Sequence, residues 1–277
     1  MRRRGSGDRH RGAQQALALV AAELPRGTRI AVGPSTYPAA LSAFADHAIV
    51  EHGSADATYV IAGVSNPHGV DLLGDAFPDG ELIVDEAYAE LRFDGRVPPP
   101  VAPRAPHRVW HVGTMSKTLC PGLRIGWLVP PPHRRASVLE RKLAADLQTA
   151  SLTQVAFARL LDVIDYDRML VGARHRYAAR ADRLCSALRR YAPEVRYRDP
   201  EGGFSIWVET DDAGDDIDLL AAAIDSGVSL DPGRLFTPAA RETAAFRLSF
   251  SHAPAGALEE GARRIATALR RWRTSET

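Results

Sequence analysis

The sequence predicts an α/β fold: a large domain built on a mostly parallel sheet with helices on both faces, followed by a smaller α+β domain. Three observations lead there. Short apolar runs bounded by turn residues recur through the first half of the chain, separated by helical or loop stretches, as in a buried parallel sheet. The triplet Pro130 to Pro132 then interrupts this alternation. Two long helical stretches follow it, and strands and helices are mixed differently beyond them, which marks a second packing unit.

Ala13 to Leu24 reads as a helix because Leu17, Val20, Ala21 and Leu24 recur at helical spacing, and Pro25-Arg26-Gly27 stops it. The apolar runs are Arg29 to Val32, Thr58 to Ala62, Glu81 to Val84, Arg108 to Val112 and Ile125 to Val129. Sheets of this kind carry ligands at the carboxyl ends of their strands. Asn66, Asp85 and Lys117 each lie just past such a run, so one sheet edge can gather all three. Helical stretches are predicted over about Arg134 to Asp165 and Asp167 to Tyr191. Strands follow at Val195 to Arg198 and Phe204 to Val208, then a helix near Ile217 to Ser226, a strand at Ala245 to Phe250 and a closing helix, Leu258 to Trp272. The expected divisions are a disordered basic tail over residues 1–11, a large domain over 12–165 and a small C-terminal domain over 166–277.

Composition narrows the function classes. Of 277 residues, 45% are hydrophobic and 25% charged, the balance of a soluble globular chain. A net charge of +1 gives no overall field for nucleic acid or a membrane surface. No apolar run approaches the roughly 20 residues that span a bilayer. Met1 to Gly7 is basic but has no apolar core after it, so it does not read as a secretory signal. Cys120 and Cys185 make no disulfide framework and suit a reducing cytoplasm. The histidines show no metal-binding spacing; His107 and His111 read as structural, and no metal site is expected. The arginines of the closing helix, from Arg263 to Arg273, read as a solvated face.

The chemistry concentrates in Thr114-Met115-Ser116-Lys117-Thr118-Leu119-Cys120-Pro121-Gly122-Leu123-Arg124. A lysine in such a turn can form a Schiff base with an aldehyde cofactor, and the neighbouring hydroxyls and guanidinium can bind a phosphate. Upstream, Val84-Asp85-Glu86-Ala87-Tyr88 ends a strand, and Ser65-Asn66-Pro67-His68-Gly69 follows another. Before the first helix, Gly12-Ala13-Gln14 offers small residues and a helix N-terminus, both suited to an anion. Arg247 lies in the apolar strand Phe246 to Phe250 and needs a partner there.

In this order, these segments resemble the fold-type I aminotransferases that use pyridoxal 5′-phosphate. The Gly-Ala-Gln-Gln-Ala-Leu string is similar to that of the group around 2-aminoadipate transaminase and the aminotransferase-like domains of MocR regulators. The resemblance runs from about Gly12 to Trp272 and implies a role for each residue. Lys117 is the Schiff-base lysine and the proton carrier; Asp85 faces the pyridine nitrogen. Tyr88 and Asn66 bond the cofactor's 3-oxygen, and Tyr37 stacks on its ring. Gly12, Ala13, Gln14, Thr114, Ser116 and Arg124 hold the phosphate. Arg247 grips the substrate α-carboxylate beside Asn66, and His68 can touch substrate.

The activity implied is transfer of an amino group between an amino acid and a 2-keto acid, in a homodimer. The same residues suit another reaction of this cofactor, such as decarboxylation, elimination, racemisation or oxidation, and less readily a regulatory domain without catalysis. Family members carry a substantial segment before the phosphate loop. The chain is therefore expected to be N-terminally shortened, with one wall of the usual site missing or replaced.

Overall fold

The computed structural model describes residues 8–10, 12–51, 54–71, 79–99 and 105–275. The first half of the chain builds one sheet from β1 (Asp8–His10), β2 (Arg29–Ala31), β3 (Ala48–Val50), β4 (Ala57–Ile61), β5 (Glu81–Asp85), β6 (Val109–Thr114) and β7 (Gly126–Val129). Side by side they run β1-β7-β6-β5-β4-β2-β3. From β3 through β2, β4 and β5 to β6 the pairing is parallel; β7 and β1 close the sheet antiparallel.

Both faces of the middle strands are covered, which is why β5 reads as an unbroken apolar run before its aspartate. On one face α1 (Ala13–Glu23) sets Ala16, Leu17 and Val20 against Ile83, Trp110 and Leu128. The short α2 (Pro38–Ala43) adds Ala40 to this cluster, with its proline in the first turn where the missing N–H costs nothing.

One helical stretch is predicted over Arg134 to Asp165, but the structure divides it into α3 (Arg135–Asp146) and α4 (Ser151–Val163). Leu147 turns left-handed, at φ 58°, and stops α3. A buried ion pair of Lys142 with Asp146 fixes that end, and Gln15 Nε2 donates to Asp146 Oδ2 at 2.9 Å, tying it to α1. α5 (Tyr166–Tyr191) follows, capped by Asp165, whose side chain accepts from Arg168 N.

The second half adds β8 (Arg196–Tyr197), β9 (Ser205–Ala213), α6 (Asp216–Asp225), β10 (Asp231–Pro232), β11 (Thr243–Ser249) and α7 (Ala255–Ser275). The four strands form an antiparallel sheet in the order β10-β11-β9-β8. One face of it packs on the helices through Val208, Phe246, Leu188, Leu219, Ile265 and Trp272. Alternation puts Trp207 and its registered partner Arg247 on the other face.

The tail expected over residues 1–11 is corrected in part: Asp8–His10 is a strand, paired with Gly126, Trp127 and Leu128 at the sheet edge. Its remaining positions lie outside the described residues.

The two halves are stitched at several places, among them the turn at Gly69 and the segment around Leu91. Glu201 and Gly202 both donate backbone N–H to Gly69 O, at 2.8 and 3.1 Å, and Gly203 N donates to Leu91 O at 3.2 Å. Arg92 adds bonds to Glu201 Oε2 at 2.9 Å and Gly63 O at 3.3 Å.

Candidate active site

Asp85 is the last residue of β5 and is 2% exposed. Burial would raise its pKa, and it does, although three contacts oppose that rise: the Ala87 N–H, the Tyr59 hydroxyl and the charge of Lys117. Ala87 N donates to Oδ1 at 2.9 Å and Tyr59 OH to Oδ2 at 3.0 Å, so each oxygen has one donor.

Tyr88 follows where the strand turns away. Its ring meets Phe204 edge-on at 5.4 Å, and Lys117 Nζ lies 5.3 Å from its centroid. Burial pushes the Tyr88 phenol up to about 12, against the lowering pull of Arg247. Tyr37, at the start of α2, is also raised by burial; the charges it feels are Lys117, Asp85, Tyr88 and Arg124. Those four groups and Tyr37 therefore share one electrostatic neighbourhood.

The turn that carries Lys117 is built by Thr114. Its Oγ1 is within hydrogen-bond reach of Ile125 O at 2.9 Å and Ser116 Oγ at 3.0 Å, and it accepts from Ser116 N at 3.2 Å. Thr114 thus shapes the turn from a buried position, while Ser116 is more exposed. Arg124 closes the segment in the left-handed region, at φ 50°. That backbone brings its guanidinium against Gly12, where an added Cβ would come within 3.0 Å of Nη2. Gly12 itself has φ +81° and sits directly on Gly126, whose own absent Cβ would lie 2.8 Å from Gly12 Cα. The N-terminus of α1 is so pressed onto the edge of β7. Gln14 Nε2 donates to Ala39 O at 2.9 Å, joining α1 to α2.

The other half supplies Arg247. Its Nε and Nη2 donate to Asp231 Oδ2 at 2.9 and 2.7 Å, and its Nη1 donates to Asn66 Oδ1 at 2.8 Å. Its guanidinium carbon lies 4.8 Å from the Phe236 ring centroid. Asn66 is 5% exposed, in the stitched turn. His68, two residues on, is bonded to Ser35 Oγ at 2.6 Å and tilts on Trp207 at 5.7 Å.

The structure therefore brings Lys117, Asp85, Tyr88, Tyr37 and Arg124 together, with Gly12 beside Arg124 and Asn66 joined to Arg247. Three residues of this region were not singled out from sequence: Tyr59, Asp231 and Ser35. For Tyr59 the available signal was a phenol inside an otherwise apolar strand, a group that needs a partner when buried. His111, read as structural, has Nε2 3.0 Å from Glu86 Oε2, close enough for an ion pair but out of line for a hydrogen bond. Among the described residues, no group of three or more His, Cys, Asp and Glu side chains is placed to hold a metal.

The arrangement suits an anionic aromatic aldehyde. Asp85 is a buried acid for which a protonated ring nitrogen would be a close cationic partner. The start of α1 and Arg124 suit a phosphate. Ser65 Oγ and Thr118 Oγ1, beside Asn66 and Lys117, are buried hydroxyls without a protein partner among the described residues, as a ligand rich in acceptors requires.

Such a lysine beside a mostly parallel α/β sheet fits a cofactor-dependent transferase. The family described as aminotransferase class I and II matches residues 47–265, and the chain belongs to that family. Members of this family work with pyridoxal 5′-phosphate. The 2-aminoadipate transaminase of Thermus thermophilus is 31% identical over 226 residues, covering 76% of this chain and 57% of that protein. The HTH-type transcriptional regulator TauR of Rhodobacter capsulatus is 33% identical over 202 residues, 72% of this chain and 42% of the regulator. The chain thus spans about half the length of the curated relatives it matches. Among solved structures, the kynurenine aminotransferase of Pyrococcus horikoshii, in complex with PMP, superposes with a TM-score of 0.87 at 28% identity. That likeness covers 95% of this chain and 74% of the other.

Proposed function

We propose that this chain binds pyridoxal 5′-phosphate at Lys117 and transfers an amino group between an amino acid and a 2-keto acid. The observation that carries the reading is one cluster: Lys117 Nζ against Tyr88, buried Asp85 within its field, and Arg247 held by Asn66. The cofactor, when bound, supplies an aldehyde and an electron-withdrawing ring. Lys117 Nζ would anchor that aldehyde and, once the substrate amine has displaced it, would move a proton to and from the substrate Cα. Asp85 would hold the ring nitrogen's proton, Tyr88 and Asn66 would bond the ring oxygen, and Tyr37 would cover the ring. Gly12, Ala13 and Gln14 at the start of α1 hold the phosphate, with Thr114, Ser116 and Arg124. Arg247 binds the substrate carboxylate: a guanidinium has five N–H groups, and Asp231 and Asn66 engage three nitrogens without using all five. His68 borders the substrate.

The cofactor-binding domain spans residues 12–165 and the small C-terminal domain 166–277, a division supported by the separate apolar cores. The active form is a homodimer. None of the residues of α4 is buried, yet Leu152 is 83% and Val163 80% exposed, an apolar surface that a second copy would cover. Two free thiols, Cys120 exposed and Cys185 buried, support a cytoplasmic setting; among the described residues no helix is long and apolar enough to cross a membrane.

The test is absorbance of the purified protein with pyridoxal 5′-phosphate, wild type against Lys117→Ala, followed by a panel of amino acids with mass-spectrometric detection of the keto acids released. A visible band lost in the variant, and a keto acid from one donor, are expected. Cofactor bound through Lys117 with no keto acid from any donor would favour a regulatory role, which the likeness to TauR makes the second reading.

A further inference from the structure

We infer that Tyr59 is a positioning residue that keeps the Asp85 carboxylate charged and aimed for a cationic ring nitrogen. The inference rests on the cofactor reading above and adds to it a residue outside the turn, strand-end and phosphate-loop motifs. Tyr59 lies on β4 next to β5, where Ile61 is the registered partner of Asp85. Alternation puts Tyr59 and Ile61 on one face, and the phenol reaches along that face to the carboxylate. The ring is 2% exposed and rests edge-on against Phe44 at 5.7 Å, so its hydroxyl is directed by packing and not by solvent.

The chemistry points one way. A phenol that stays protonated is a donor at every ordinary pH, and burial together with Asp85 holds the Tyr59 pKa well above its usual value. An ionised carboxylate is acceptor-only, whereas a protonated one must find an acceptor for its own proton. With Tyr59 on Oδ2 and Ala87 N–H on Oδ1, both oxygens are met by donors, which favours the ionised form. The other titratable groups acting on Asp85 are Lys117, which also favours the charge, and Glu86, which opposes it. Ala87 contributes a backbone donor that no substitution removes simply. Tyr59 is therefore the side chain through which the charge of Asp85 is set from inside the sheet.

Tyr59→Phe keeps the ring and removes only the donor. The readout is the dissociation constant, by equilibrium dialysis, of two probes: pyridoxal 5′-phosphate and its 1-deaza analogue, in which C–H replaces the ring nitrogen. In Y59F the cofactor is expected to bind about tenfold more weakly, the scale of a hydrogen bond to a charged group, while the analogue is unchanged. Loss for both probes alike, or for neither, would overturn the inference, since a merely structural tyrosine does not sense the ring nitrogen. Because both probes are measured on the same protein, a fall in the folded fraction cancels from their ratio. Should Y59F not fold, 3-fluorotyrosine at this position, a stronger donor of similar shape, must shift the ratio the opposite way. The wild type separates the two readings. A protein that binds neither probe sinks the cofactor assignment itself. One that binds both equally removes the role of Asp85, and either result withdraws the inference about Tyr59.

Discussion

At the scale of the residue, His68 carries a pH dependence whose sign follows from its surroundings. Burial between Ser35 and Trp207 is the largest effect and depresses its pKa to about 4 from 6.5; Arg198 and Arg241 push the same way and Glu209 opposes them. Between those two values the unfolded chain binds a proton at this position and the folded chain does not. Stability is therefore full above about pH 6.5 and falls as pH drops toward 4. Discounted for its partial exposure, the group should remove about 1–2 kcal/mol of unfolding free energy between pH 7 and pH 5. His68→Gln retains a polar partner for Ser35 and cannot titrate, so urea unfolding at the two pH values should show a shallower loss in the variant. A loss as steep as in the wild type would assign the effect elsewhere. Lys117, Asp85 and Asn66 could be read from the sequence because each follows an apolar run. Tyr59 could not, because a tyrosine in a strand is ordinary by pattern, and its partner lies 26 residues away in sequence. Asp231, likewise, meets Arg247 only through the antiparallel register of β10 with β11.

At the scale of the element, α1 shows how backbone conformation makes a site. The helix itself was legible from its periodicity, but the geometry of its start was not. Gly12 has φ 81° and ψ 175°, a region essentially closed to residues with a Cβ, and it lies between Arg124 and Gly126. Gly12→Ala would place a methyl 3.0 Å from Arg124 Nη2, on a backbone packed so closely against Gly126 that a Cβ on Gly126 would lie 2.8 Å from Gly12 Cα. The expected cost is about 1–3 kcal/mol of strain at the entry of the helix. Because the flexible Arg124 side chain yields first, affinity for pyridoxal 5′-phosphate should fall more than the thermal midpoint does. Calorimetric titration with the cofactor and a melt of the cofactor-free protein check this; unchanged affinity would remove Gly12 from the phosphate site. Elsewhere the misses have physical causes. β1 and β3 are three-residue edge strands, too short for a periodic signal. The break between α3 and α4 is set by a left-handed leucine and by the bond from Gln15 to Asp146, whose sequence separation of 131 no local pattern contains.

At the scale of the whole molecule, the proposed site depends on two apolar cores that meet, among other places, at the turn carrying Asn66 and His68. Large-unit strands end at Asp85 and near Lys117; the small-unit sheet turns Arg247 toward the same turn, and Ser205 Oγ reaches Pro67 O at 3.4 Å. A sheet edge that gathers three motifs was legible in the sequence, while this joint depends on contacts across most of the chain. The surface left over by that packing runs along α3 and α4. Leu139, Leu143, Leu147, Leu152, Val155 and Val163 are each at least 44% exposed. A helix apolar on several sides is stable when covered, and α4 has no buried residue of its own. Covering it with the same surface of a second copy is the symmetric solution, since an isologous contact places each apolar residue against a matching one. Sedimentation of the wild type should therefore give twice the mass of the chain, and a Leu152→Asp, Val155→Asp double variant should dissociate at least tenfold more readily, because it puts two unpaired carboxylates on each side of the contact. Both substitutions lie on exposed positions, so the fold of the separated chain should persist by circular dichroism. A wild type that sediments as a monomer at micromolar concentration would refute the dimer. A variant as dimeric as the wild type would move the contact away from α4.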